Sequence, residues 1–213
     1  MTIGIVVALS EELSTLTPVK LVRGESLALN SSVIVCLSGA GHENAAHASE
    51  KLIAEGARKL ISWGCAAGLS PQLHPGDLMV ASEIIVNGQI ISDPSGWAAT
   101  LAEQLRQPLT ICQSSLASRY GLITQHEQKQ SIHQQTAAAA LDMESAAVAV
   151  TALRHQLPFA TIRAIADPAS MTLPSAVAKA LNDAGEVATG VLLIHLLSHF
   201  WEIPALIKLG LHF

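Results

Sequence analysis

Aromatic residues are almost missing from this chain: Phe, Trp and Tyr together make up 3% of it. So sparse a set leaves little for stacking on bases, and the formal charge of −5 disfavours a phosphate backbone, so nucleic acid is not an expected partner. Charged residues are also scarce, at 14% against 50% hydrophobic, a balance that argues for elements buried on both sides. Cysteine is limited to Cys36, Cys65 and Cys112, an odd, widely spaced set with no C-x-x-C pair. That favours reduced thiols in a cytoplasmic protein over a disulfide framework or a zinc site. The apolar N-terminus, Met1 to Leu9, has no basic flank and runs into Ser10-Glu11-Glu12, so it does not read as a secretory signal. The glycine spacing is not a dinucleotide fingerprint and lacks the lysine of a P-loop. His126 and His133 share a polar segment but are not paired at ligand spacing, so neither a metal nor a cofactor is expected. A small-molecule ligand bound by one domain, residues 1–213, is the default reading.

What is present alternates between strand and helix signals. Thr2 to Ala8, Val33 to Leu37, Leu60 to Trp63, Leu78 to Val86 and Phe159 to Ala166 are apolar runs of strand length. Helices are expected after Ser10, around Ala45 to Glu55, over Trp97 to Leu105, over the polar Gln125 to Gln135, and in the alanine-rich stretch after Glu144. Leu109 to Cys112 is a weaker strand candidate. The alternation predicts a three-layer α/β/α sandwich around a central sheet. The last stretch, 187–213, is strongly apolar but interrupted by His195, His199, Glu202 and Pro204, which is too broken to span a bilayer. It fits core, an oligomer interface, or a surface that meets membrane.

Carboxylates stand where such a sheet places ligands. Asp142 and Glu144 open a helix, whose unpaired N–H groups and dipole favour ionised acids, so Glu144 is expected to be charged. Asp167 ends the strand from Phe159 and is followed by Pro168, at a carboxyl end where open α/β sheets bind ligands. Glu12 lies close to the end of the first strand. Taken singly, an Asp before Pro is a turn former and an acid in a first turn is a cap; the pair carries more than either member. Glycines in Ser38-Gly39-Ala40-Gly41 and in Gly64-Cys65-Ala66-Ala67-Gly68 allow close backbone approach, to a ligand or to a neighbouring element.

Five segments together resemble the successive motifs of the purine nucleoside phosphorylase superfamily, in particular its methylthioadenosine/S-adenosylhomocysteine nucleosidases. They are Ile3 to Glu12, Ser38 to Ala46, Gly64 to Leu69 with Pro75-Gly76-Asp77, Asp142 to Ala147, and Arg163 to Asp167. Asp-Met-Glu-Ser, Arg-Ala-Ile-Ala-Asp-Pro-Ala and the tail Pro-Ala-Leu-Ile-Lys-Leu further resemble the hopanoid-associated phosphorylase-like proteins. The resemblance implies a nucleoside phosphorylase-like fold with a mixed sheet and release of adenine from an adenosyl compound, adenosylhopane in the narrower match. It implies Asp167 as the acid that protonates N7 of adenine and Glu12 as the base that directs water. It gives Glu144 to the ribose hydroxyls, Met143 to the sugar, and Cys65, Ala66 and Tyr120 to Ile123 to the base. Arg163 is left as an anion binder or a partner of Glu144.

No basic residue precedes Lys20, so the N-terminal turn offers Glu11 and Glu12 where a phosphate dianion would need arginine, which favours water over phosphate as nucleophile. The alternatives are ordinary methylthioadenosine/S-adenosylhomocysteine hydrolysis, phosphorolysis, and a non-catalytic nucleoside- or lipid-binding protein. The resemblance also implies a homodimer, and the apolar tail a lipidic substrate or peripheral membrane contact through 187–213. Cys65, Ala67 and Ala166 depart from the nucleosidase pattern, and Ala166 removes a hydrogen bond next to Asp167.

Overall fold

The computed structural model describes residues 1–106 and 109–173, so the apolar stretch 187–213 lies outside the described residues. The strands are β1 (Thr2–Val7), β2 (Ser26–Asn30), β3 (Val33–Leu37), β4 (Ala57–Gly68), β5 (Leu78–Val86), β6 (Gln89–Ile91), β7 (Ile111–Ser118), β8 (Ala140–Asp142) and β9 (Phe159–Asp167). The helices are α1 (Ser10–Ser14), α2 (His42–Ala54), α3 (Trp97–Leu105), α4 (His126–Thr136) and α5 (Ser145–Arg154). All of these strands join one mixed sheet in the order β2-β3-β1-β4-β8-β7-β5-β6, with β9 bonded to both β4 and β5.

That last pairing bends the sheet into a closed circuit. β4 pairs with β9, β9 with β5, β5 with β7, β7 with β8, and β8 again with β4. Closure leaves no free edge on the strands of the circuit, so the edges of the sheet are β2 and β6. β4 is common to the circuit and to the open wing formed with β1 and β3. Along one edge its ladder with β1 ends at Trp63 opposite Val7. On the same edge the ladder with β8 begins at Ala67 opposite Leu141. Between them, Gly64 to Ala66 have no strand partner on that side, so the sheet parts there and backbone donors become available.

Both faces of the wing are covered. On one, α2 and α5 bring Ala45, Ala48, Leu52, Ala146, Ala149 and Ala152 against Val6, Cys36 and Leu60; the small side chains let the helices lie close to the strands and to each other. On the other, Leu13 of α1 and Ala98 and Ala102 of α3 pack on Ile5, Val7, Val35, Ile61 and Ile162. The expected α/β/α layering is present. The strand expected at Leu60 to Trp63 is longer, because Gly64 to Gly68 continue it as part of β4. The weak strand at Leu109 to Cys112 is replaced by β7. No helix among the described residues is long and apolar enough to cross a membrane.

Candidate active site

Glu12 stands in the third position of α1. Its carboxylate reaches back to the chain that leaves β1, accepting the N–H groups of Ala8 at 3.2 Å and Leu9 at 3.0 Å through Oε2. Oε1 accepts the Cys65 N–H at 2.7 Å, the donor freed by the parting of β4. An acid at this helix position commonly reaches back to such donors; here it also joins α1 to β4. Burial pushes the Glu12 carboxyl above its usual range, against the charge of Arg163 and the three amides. The helix is preceded by Leu9 at its cap position, not by Ser10 as the sequence suggested.

Asp167 closes β9, and its register partner on β4 is Ala67. Cys65 and Ala67 are two residues apart, about 7 Å along a strand, so β4 sets the spacing between the amide that holds Glu12 and the strand position that carries Asp167. The Cys65 thiol senses both acids: burial, then the charge of Glu12, and to a lesser extent that of Asp167, push it up to about 11. A thiol so raised is protonated at neutral pH and is no nucleophile. Burial also raises the Asp167 carboxyl, against the pull of the Lys129 ammonium.

Lys129 is a group that sequence reading missed. Helix α4 is polar, yet Lys129 has 0% exposure. Its ammonium donates to Asp167 Oδ2 and to the backbone oxygens of Pro168, at 3.1 Å, and Met171, at 2.9 Å. A signal existed: Ile132 is the apolar residue of α4 that must face the core, and Lys129 lies three residues before it on the same face.

Glu144 immediately precedes α5 and does not cap it. Asp142 does so, accepting the Ser145 N–H at 3.1 Å. Glu144 instead accepts the N–H of Gly41, which opens α2, at 2.8 Å, and that of Met143 at 3.3 Å. The φ of 95° at Gly41 is a conformation that glycine adopts readily, and it presents that amide. The expectation that Glu144 is simply ionised is corrected: burial first, and then the Asp142 charge, push it up to about 7. At neutral pH it titrates, and can offer or accept a hydrogen bond.

Arg163 is corrected as well. It does not stand free for an anion, and its main partner is not Glu144, whose Oε2 is 4.0 Å away. It is buried, bonding Asp142 Oδ2 at 2.6 and 3.0 Å, Ser62 Oγ at 2.7 Å and Ser145 Oγ at 3.1 Å. It therefore acts behind Glu12 and Glu144, offsetting their charge. The Ala66 side chain belongs to the core with Met79, Leu116 and Ile165, so only its backbone remains for a ligand. Met143 is half-buried beside Glu144. Tyr120 is 65% exposed, and its ring meets that of His42 with centroids 4.9 Å apart. That contact brings the start of α2 against the segment after β7, next to the Gly41 amide that holds Glu144.

The sequence profile described as the Phosphorylase superfamily matches residues 2–197. The chain belongs to the phosphorylase superfamily. Within it, the chain is similar to a 5′-methylthioadenosine/S-adenosylhomocysteine nucleosidase of Oceanobacillus iheyensis, with 26% identity over 91% of this chain and 97% of that one. A nucleosidase of the same name from Staphylococcus carnosus is 27% identical, covering 76% of this chain and 82% of its own. Among solved structures, the Neisseria meningitidis nucleosidase in complex with methylthio-immucillin-A aligns with a TM-score of 0.68 at 25% identity, covering 79% of this chain and 87% of that one. Futalosine hydrolase of Helicobacter pylori shares the fold at a TM-score of 0.69 and 24% identity, covering 79% and 85%.

Among the described residues no group of His, Cys, Asp and Glu is arranged to hold a metal ion. In this superfamily member the sheet forks beside Gly64 to Ala66, and Glu12 is bonded at that fork.

Proposed function

We propose that the chain is an N-ribosyl hydrolase that releases adenine from an adenosyl compound. The observation that carries this reading is the pairing of Glu12, held at the parting of β4 by three backbone amides, with Asp167 beside the end of the same strand. Asp167, raised by burial, gives its proton to N7 of adenine as the ribosidic C–N bond breaks and its electron pair passes to the base. Water attacks C1′ of the oxocarbenium-like ribosyl group and gives a proton to Glu12, an acid–base division like that of inverting glycosidases. Glu144 holds the ribose hydroxyls, with Met143 against the sugar and the backbone of Cys65 and Ala66 near the base.

Water is favoured over phosphate by the state of the cations. Arg163 is bonded to Asp142 and Lys129 to Asp167, so neither is left to neutralise a phosphate dianion among Glu12, Glu144 and Asp142. The named relatives support methylthioadenosine and S-adenosylhomocysteine as substrates. The Asp-Met-Glu-Ser and Arg-Ala-Ile-Ala-Asp-Pro-Ala motifs and the apolar 187–213 stretch support adenosylhopane instead. That stretch also motivates a homodimer and peripheral membrane contact.

The deciding experiment measures adenine release from methylthioadenosine and from adenosylhopane in parallel, with and without phosphate, and weighs the sugar product. A free ribosyl product supports hydrolysis, and the substrate that yields it selects the branch. Ribose 1-phosphate would overturn the choice of water. Adenine binding without product over long incubation would leave a binding protein. Asp167→Asn should abolish release in a folded protein.

A further inference from the structure

We propose that Lys129 is a positioning residue for Asp167: it fixes the carboxyl so that Oδ1 carries the transferable proton, and it stands beside the carboxylate that remains once that proton has gone. The inference rests on Asp167 acting as the acid, as proposed above.

The geometry is specific. An ammonium has three hydrogens, and Lys129 faces three acceptors: Asp167 Oδ2 and the carbonyls of Pro168 and Met171. Every donor is thereby used, and two of the acceptors belong to the loop that follows Asp167. The side chain fixes both the direction of the carboxyl and the backbone that carries it. Oδ2 is occupied by a permanent donor, so a proton on the group belongs on Oδ1, the oxygen that would meet the base. The preceding residue, Ala166, has no side chain able to share this work. A lysine with no exposed surface on an otherwise polar helix is costly to keep unless a buried charge answers it.

The chemical consequence follows from charge. When Asp167 passes its proton to N7, it becomes an anion in a buried site. A neighbouring ammonium favours that anion and so favours the transfer. Burial works in the other direction, holding the proton before the reaction. Among titratable groups, Cys65 from β4 interacts with both Glu12 and Asp167, while His126 and His133 of α4 line a cavity with Ala169 and Ser170 of the loop that follows Asp167. The His133 ring is engaged at 2.8 Å by the Ala138 oxygen.

The test compares full pH profiles of kcat and KM for the wild-type protein with those of Lys129→Met, Lys129→Gln and Lys129→Arg. Activity that needs protonated Asp167 falls as pH rises through the pKa of that group. Loss of the ammonium raises this pKa, so in Lys129→Met the alkaline limb should move up by about one unit or more. Its plateau kcat should fall by roughly 10²-fold, with KM little changed, whereas Lys129→Arg should keep the limb near its original place. Should the methionine variant fail to fold, Lys129→Gln retains donors without the charge and answers the same question. Carbon-13 titration of the Asp167 carboxyl in wild-type and Lys129→Gln proteins reads the pair without turnover. Folded, active neutral variants with an unmoved limb and an unmoved carboxyl titration would overturn the inference. A wild-type protein that releases no adenine would instead overturn the function, while the carboxyl titration would still report the pair.

Discussion

A Cβ added at Gly64 would stand 2.3 Å from Oε1 of Glu12. Glycine at this position is what allows the carboxylate to lie on the edge of β4, and the atoms in conflict are the far end of a flexible side chain. Gly64→Ala should therefore expel the Glu12 carboxylate rather than dismantle the sheet. Adenine release should fall by about 10²-fold or more, the scale of a lost general base. The φ of 156° adds strain of order 1 kcal/mol, so Tm should drop by only a few degrees. Activity near wild type in this variant would show that Glu12 can work from elsewhere.

Glu144 should leave a mark on stability. Its carboxyl lies near 4.5 when unperturbed and is pushed to about 7 in the fold. Between those values the unfolded chain has lost the proton and the folded one still binds it, so this group's contribution is complete below about pH 4.5 and is lost as pH rises to about 7. The difference in unfolding free energy between Glu144→Gln and the wild type, followed by urea titration across this range, should favour the variant increasingly towards neutral pH. A difference independent of pH would mean that Glu144 is not raised.

Arg163→Met should be among the most damaging single changes. It leaves Asp142 buried without its counter-charge, a loss of about 3–5 kcal/mol for such pairs and a Tm drop of roughly 10 °C. Arg163→Met with Asp142→Asn should cost much less than the sum of the two single changes, because the stranded charge is removed with its partner. Additive losses in calorimetry would mean that the two residues are not coupled.

Alkylation of Cys65 should be slow. With its thiol pushed up to about 11, modification at pH 8 should run about 10²-fold below that of a free cysteine. Glu12→Gln should accelerate it, since the Glu12 charge is one cause of the rise. Peptide mapping after iodoacetamide treatment separates Cys65 from Cys36 and Cys112.

Periodicity alone was enough to read the layered fold, because β1, β3, β5, α3 and β9 have apolar runs or faces that match their spans. It could not find β2, β6 or β8, which are too short or too mixed for a period to register; their existence depends on partners distant in the chain. The strand expected at Leu60 to Trp63 stopped short because the small residues from Gly64 to Gly68 carry little strand signal of their own, whereas here they continue β4 past the place where its neighbours change. The acids were legible from their positions at strand and helix ends. Their charge states were not, because the rise at Glu144 depends on burial and on Asp142, and the hold on Asp167 comes from Lys129, whose place on α4 carries no local sign beyond Ile132. Arg163 invited two assignments: its ion pair with Glu144 exists at 4.0 Å, but the buried Asp142 is the closer partner and takes the place of an outside anion.

Since the Cys65 amide leaves the strand ladder to bind a carboxylate, it is a natural reporter for nuclear magnetic resonance. Its bond to Glu12 Oε1, at 2.7 Å, is of the short, charge-assisted kind, which moves the amide proton downfield and slows its exchange with solvent. Protonation of Glu12 weakens that bond and shifts the signal. A ligand that moves or neutralises one buried acid can thus be detected at a single backbone amide before any bond is broken.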